Sequence, residues 1–275
     1  MFTLGGDLPV RRLGYGTAQL TGPGYWGPRG DARDAVTVLR RAVERGVNLI
    51  DTADNYGPSV AEELVAEALY PYPEDLVIAT KGGVVRTGDN AWRVDGRPEQ
   101  LRAMCEASLR RLRLERIDLY QLHRLDPAVP MAEQLGALDE LREEGKIRHV
   151  GLDTVSAEQL ASAMELTSVA SVQNRYNLAD RASEPLLELC EERGIAFLPW
   201  FPLGNGALTG NPECARIAAA HGATPGQVAL AWLLHRSPVL CPTPGTGTLA
   251  HLEENLDAAR LSLGAAELSR LSALR

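Results

Sequence analysis

Four side chains in the first half of the chain have types and positions suited to one piece of chemistry. Asp51 ends the apolar run NLI, Lys81 follows VIAT, and His123 follows LYQL; Tyr56 lies five residues beyond Asp51, in the loop DTADNYGP. A hydride arriving at a carbonyl carbon leaves an alkoxide, which needs a proton from a general acid. Free tyrosine has a pKa of about 10, too high for easy turnover. An adjacent lysine ammonium lowers it, and a carboxylate holds that lysine in place and charged. A histidine on the next strand can bond the substrate oxygen and orient it. Each residue alone reads more readily as a turn, rim or packing residue. Together, Asp51, Tyr56, Lys81 and His123 point to carbonyl reduction.

These residues converge only if the elements carrying them are parallel neighbours. Eight apolar or β-branched runs recur along the chain: Arg12–Thr17, Val47–Asp51, Leu76–Lys81, Ile117–His123, Ile147–Asp153, Ala170–Gln173, Ile195–Trp200 and Val239–Thr243. Segments of helical period lie between them. Asp31 suits the cap of a helix with Ala35, Val38, Leu39, Ala42 and Val43 on one face and Gly46 beyond its end. Pro98 suits the first turn of a helix buried through Leu101, Met104, Cys105, Leu109 and Leu112. Leu135, Leu138 and Leu141 mark a third, ending at Gly145. Thr224-Pro225 opens a fourth, with Val228, Ala231, Trp232 and His235 along a stripe. Eight such units without a composition break predict an α/β fold, a single (β/α)8 TIM barrel over residues 1–275. Phe2–Gly5 and Leu8–Arg11, flanking a Gly5-Gly6-Asp7 turn, are expected to form a β-hairpin closing the barrel bottom. An open doubly wound sheet is the alternative, but GYGTAQL after the first strand lacks the GxGxxG of a dinucleotide-binding open sheet. In a barrel, the C-terminal strand ends form one rim, and there the four residues would meet.

The bulk properties narrow the partners. With 28 basic against 36 acidic residues, a net charge of −8 disfavours nucleic acid or an anionic membrane surface, while leaving room for a locally bound anion. Cys105, Cys190, Cys214 and Cys241 form no CxxC pair, so neither a disulfide framework nor a zinc site is expected. No apolar stretch reads as a signal peptide or membrane helix. A cytoplasmic protein, a monomer or weak homo-oligomer without a metal, is the expectation.

LIDTADNYG, VIATKGG and DLYQLHR resemble the signatures of the aldo-keto reductases, and the likeness runs along nearly the whole chain. The resemblance implies Tyr56 as proton donor, Lys81 as its pKa modifier, Asp51 as the partner of the lysine and His123 as the group orienting the carbonyl. It also implies a nicotinamide cofactor, NADPH with NADH left open. Gly16 and Thr17 at the first strand end, Gln173 in VQNRYN, and Trp200 would meet the nicotinamide side. The segment opened by Pro202 would offer the amides of Leu203, Gly204 and Gly206 to the pyrophosphate. PTPGTGTLAHLEEN resembles the cofactor loop of the family, with Gly245, Thr246, Thr248 and His251 at a helix N-terminus and Glu254 and Asn255 beside the adenine.

Two departures stand out. Where the family carries G-x-S-N after the fifth strand, this chain reads Gly151-Leu152-Asp153-Thr154. Thr154 keeps a hydrogen-bonding hydroxyl, but Asp153 either brings a negative charge to the nicotinamide or turns away. The stretch Gly245–His251 also lacks the Lys or Arg that often binds the ribose 2′-phosphate; hydroxyls and a helix N-terminus are a weaker substitute.

Tyr25, Trp26, Asn55, Trp92, Arg124 and Trp200 are expected at the pocket mouth, where tryptophans suit a flat aromatic or heteroaromatic carbonyl compound. Trp26 and Trp92 read equally as loop packing, and Arg124 as a rim ion pair. RLGYGTAQLTGPGYWGP, ALYPYPEDL and FPLGNG resemble the bacterial subgroup that includes pyridoxal reductases, making pyridoxal a candidate substrate. A non-catalytic nucleotide-sensing subunit of the same fold is the alternative, as is a lyase using Lys81 as a Schiff base, although pairing with Asp51 would keep that lysine charged.

Overall fold

The computed structural model describes residues 1–274; Arg275, the last residue of the expected domain, lies outside them. A hairpin comes first, β1 (Phe2–Leu4) against β2 (Leu8–Val10), with Phe2 opposite Val10 and Leu4 opposite Leu8. Its three-residue turn, Gly5-Gly6-Asp7, places Gly5 and Gly6 at φ +61° and +86°, left-handed conformations that favour glycine. Then follow β3 (Tyr15–Gly16), α1 (Ala32–Glu44), β4 (Leu49–Asp51), α2 (Val60–Leu69), β5 (Val77–Gly82), β6 (Val84–Gly88), β7 (Ala91–Val94) and α3 (Pro98–Leu112). The second half runs β8 (Ile117–Leu122), α4 (Met131–Glu143), β9 (Ile147–Asp153), α5 (Ala157–Met164), β10 (Val169–Arg175), α6 (Glu184–Arg193) and β11 (Ala196–Trp200). It ends in four helices, α7 (Pro212–His221), α8 (Pro225–Arg236), α9 (Leu249–Asp257) and α10 (Ala265–Ser272).

Seven strands form one parallel sheet in the order β11-β10-β9-β8-β5-β4-β3. The chain order is preserved across it because each crossover carries a helix to the outside, as parallel pairing demands. Helix starts follow the local chemistry. The Asp31 carboxylate accepts from the Arg33 amide at 2.9 Å. Thr224 and Gln227 form a reciprocal capping box that opens α8. That helix is buried on most sides rather than along one stripe, and His235 is exposed.

Three expectations need correction. The first run shrinks to Tyr15–Gly16, because Arg12 turns its guanidinium to the carbonyls of Leu234 and Ser237 at the end of α8. Val239–Thr243 forms no ladder strand; only Leu240 bridges Phe197. Pro238, Pro242 and Pro244 remove alternate donors there. The segment is nonetheless bonded on both flanks: Phe197 N to Val239 O at 2.9 Å, Cys241 N to Phe197 O at 2.8 Å, and Gly14 N to Pro242 O at 3.0 Å. Finally, the antiparallel β6–β7 hairpin was not expected. Its turn signal, Gly88-Asp89-Asn90, is plain in the sequence, but the run ending at Lys81 reads as a complete strand.

Hairpin residues Leu4, Leu8 and Val10 pack with Leu49, Val77, Leu119, Ala196 and Cys241 in one apolar cluster. The four cysteines are free buried thiols. No helix among the described residues is long and apolar enough to cross a membrane.

Candidate active site

The C-terminal strand ends surround a cavity of about 650 Å³. Asp51 closes β4, Lys81 lies one residue before the end of β5, and His123 follows β8, with its amide donating to Gly82 O at 2.8 Å. Lys81 is fully buried, and its ammonium has three kinds of acceptor. Nζ reaches both Asp51 oxygens at 2.9 and 3.0 Å, Thr52 O at 2.9 Å and Tyr56 Oη at 3.4 Å. Burial alone would lower the lysine pKa, but Asp51 and the other negative groups outweigh it and hold the ammonium charged. The Asp51 carboxylate also accepts from Gln121 Nε2 at 3.2 Å and Gln173 Nε2 at 3.0 Å. Three donor groups from three other strands therefore fix one buried carboxylate through four hydrogen bonds.

Tyr56 stands on this base, its ring 6.1 Å from that of Tyr25 and 6.1 Å edge-on from that of His123. Burial pushes its pKa up, Lys81 opposes this, and Asp51 and Asp153 add to it; the outcome is about 12. The phenol is thus protonated at neutral pH. His123 moves the other way: burial, Lys81 and Arg124 hold its pKa well below the usual histidine range, so the ring is neutral. Its Nδ1 is buried without a partner among the described residues.

Asp153 faces the cavity rather than turning away, but its charge is compensated. Arg124 Nη1 donates to Oδ1 at 2.6 Å, as does Thr154 Oγ1 at 2.7 Å, and His123 Nε2 stands 3.8 Å from Oδ2. Burial raises the Asp153 pKa to about 6 against the pull of Arg124. Arg124 is accordingly committed to Asp153 at the rim.

The cavity wall includes Gly16, Tyr25, Asn55, Trp92, Arg124, Gln173, Trp200, Pro202, Leu203, Gly206, Gly245, Thr246, Thr248 and His251. Gly16 and Gly245 meet back to back: a Cβ on Gly245 would stand 2.6 Å from Gly16 O. Thr17, Trp26, Thr154, Gly204, Glu254 and Asn255 are not on that wall. Thr17 braces it through Thr52 Oγ1 at 2.8 Å. Glu254 accepts from Thr224 Oγ1 at 2.5 Å, tying α9 to the cap of α8. Trp26 and Trp92, both exposed, lie near the Arg86 guanidinium, with ring centroids at 5.6 and 5.7 Å.

Sequence reading passed over Gln19, Arg29, Arg86 and Gln121. Gln121 had a signal, since it shares a strand face with His123 two residues on. The loop arginines had none.

Thr154 sits at φ +56°, a left-handed conformation costly for a β-branched residue. Asparagine tolerates it better. Thr154→Asn is therefore expected to stabilise the protein by about 1 kcal/mol. Urea denaturation would check this, and an unchanged or lower midpoint would refute the strain.

The aldo/keto reductase family model matches residues 12–275. Over 268 residues the chain is 46% identical to an oxidoreductase of Schizosaccharomyces pombe named as uncharacterized, covering 97% of this chain and 87% of that one. It is 43% identical over 279 residues to the pyridoxine 4-dehydrogenase of Escherichia coli, covering 99% and 97%. A crystal structure of an aldo-keto reductase from Klebsiella pneumoniae in complex with NADPH aligns with a TM-score of 0.83 at 28% identity, covering 98% of this chain and 93% of that one.

Proposed function

Because the chain belongs to the aldo/keto reductase family, we propose that it reduces a small aromatic or heteroaromatic aldehyde of the pyridoxal kind to the alcohol, using NADPH. The observation that carries this reading is the placement of Lys81 Nζ, held between the Asp51 carboxylate and Tyr56 Oη beneath the cavity. We also read Val239–Thr243 as the eighth stave of a closed barrel, the first hairpin as its floor and residues 1–275 as one domain.

The cavity residues fit a nicotinamide dinucleotide. Trp200 offers a flat face on the wall, and its buried Nε1 has no partner among the described residues. Gly16 and Gly245 keep side chains out of the space between the first strand and the last loop. Gln173 would hold the carboxamide with its remaining capacity, one N–H and one lone pair, the rest being committed to Asp51 and Gln121. Pro202, Leu203 and Gly206 would line the pyrophosphate, and Thr246, Thr248 and His251 the far end. Thr17, Thr154, Gly204, Glu254 and Asn255 would act by supporting these groups.

The bound nucleotide supplies the hydride. Tyr56 Oη donates its proton to the carbonyl oxygen, and the phenolate left behind is stabilised by the Lys81 ammonium. The neutral His123 ring directs an N–H at the same oxygen and holds the aldehyde in line. Tyr25 and Trp92 would flank an aromatic ring at the mouth. The relative named pyridoxine 4-dehydrogenase, 43% identical, supports a substituted pyridine as substrate.

Loss of NADPH absorbance with pyridoxal or a nitrobenzaldehyde tests the proposal. Turnover of these and much slower turnover of an open-chain sugar is the expected result. Tight NADPH binding with no turnover of any aldehyde would replace it by a nucleotide-sensing role.

A further inference from the structure

In a chain of net charge −8, the cavity is an exception. Its wall carries Asp51 and Asp153 against Arg29, Arg86 and Arg124, with Lys81 behind it. Lys81 offsets Asp51 and Arg124 offsets Asp153. Arg29 and Arg86 have no carboxylate within ion-pair distance among the described residues. Arg86 is engaged by two indole rings and by Gly24 O at 2.6 Å. Arg29 has only neutral acceptors, Gln19 O at 3.2 Å and Gln19 Oε1 at 3.3 Å, and it is exposed.

Arg29 also occupies a specific place. A Cβ built on Gly247 would lie 3.8 Å from its Cδ and 3.8 Å from its Nε. The Arg29 side chain thus stands against the Gly245–His251 turn at Gly247, between Thr246 and Thr248 in the chain, although the two segments come from opposite ends of the chain. There Thr246 Oγ1 accepts from Thr248 N at 3.2 Å, and Thr248 caps α9. The turn itself contains no lysine or arginine.

We propose that Arg29 binds the ribose 2′-phosphate of NADP(H), supplying from the first loop the cation that the last loop lacks. This inference rests on the reading that the cavity holds a nicotinamide nucleotide. A phosphomonoester dianion needs a charged donor to discriminate it from a hydroxyl, and a guanidinium presents two parallel N–H groups to it. Held only by neutral acceptors, Arg29 can swing onto the phosphate without breaking an ion pair. Because it is exposed, its contribution should shrink with added salt.

Calorimetric titration of the full-length protein with NADP+ and with NAD+ tests this, for the wild type, Arg29→Ala and Arg29→Lys. Arg29→Ala should weaken NADP+ roughly tenfold to a hundredfold, the range of a lost charged hydrogen bond, and change NAD+ less than about twofold. Arg29→Lys should fall between, because a point charge replaces the fork. Raising salt should erode NADP+ affinity in the wild type more steeply than in Arg29→Ala. Equal weakening of both nucleotides would reduce Arg29 to a loop brace and overturn the proposal, as would no change in either. A wild type that binds neither nucleotide would defeat the reading of the cavity itself. One that binds both, with a ratio unmoved by Arg29→Ala, defeats this inference alone.

Discussion

Tyr56→Phe should lower the rate of aldehyde reduction by roughly 10²–10⁴-fold, the usual contribution of a positioned general acid, while leaving NADPH affinity nearly unchanged. The substitution removes one oxygen and keeps the ring, which packs between Tyr25 and the edge of His123. Little else in the site moves, because Lys81 retains Asp51 and Thr52 O as acceptors. Burial pushes the pKa of the phenol up to about 12, so at neutral pH the proton is in place. That same value makes it a weak acid, and the compensating factor is Lys81, 3.4 Å away, whose charge gains strength as the phenolate forms. Single-turnover reduction with saturating NADPH would measure the effect. Full activity in Tyr56→Phe would mean that the proton comes from His123 or water, and the assignment of roles would fall.

Lys81→Met should be damaging twice, to stability and to catalysis. Asp51 is 3% exposed, and without the ammonium it keeps only the two glutamine amides as neutral donors. Removing one partner of a buried ion pair costs about 3–5 kcal/mol, because the remaining charge is stranded. The pair itself is a weaker stabiliser than that figure suggests, since desolvating both charges offsets their attraction. The double variant Asp51→Asn, Lys81→Met should therefore recover most of the stability, with the asparagine oxygen accepting from one glutamine amide and its NH2 donating to the oxygen of the other once that side chain turns over. It should not recover activity, because no cation faces Tyr56. Urea denaturation and turnover on the three variants separate the two roles. A double variant as active as the wild type would show that the reaction does not need the charge on Lys81.

Much of this site is legible in the linear chain. Asp51, Lys81 and His123 each follow an apolar run, and a strand end at the rim is encoded by that local pattern alone. Asp31 and Thr224 mark helix starts through bonds spanning two or three residues, and Pro98 through its fixed φ, so they too can be read directly. Other features depend on pairings that no local period records. The sequence left open whether Asp153 points into the cavity; Arg124 at the end of the adjacent strand keeps it there with its charge balanced. Gln173 reads as a cofactor ligand, yet in the fold its amide also bonds Asp51, far away in the chain. Val239–Thr243 has a strand composition, but its prolines lack the donors of a full ladder, and it meets its flanks through Val239 O, Cys241 N and Pro242 O. Arg29 is one more exposed arginine until the first loop folds against Gly247. Hydrophobic period and capping act over a few residues, so the linear chain encodes which residues sit at the ends of elements. Tertiary structure alone decided which charges neutralise one another and which stay available, because that depends on loops without period meeting across the rim.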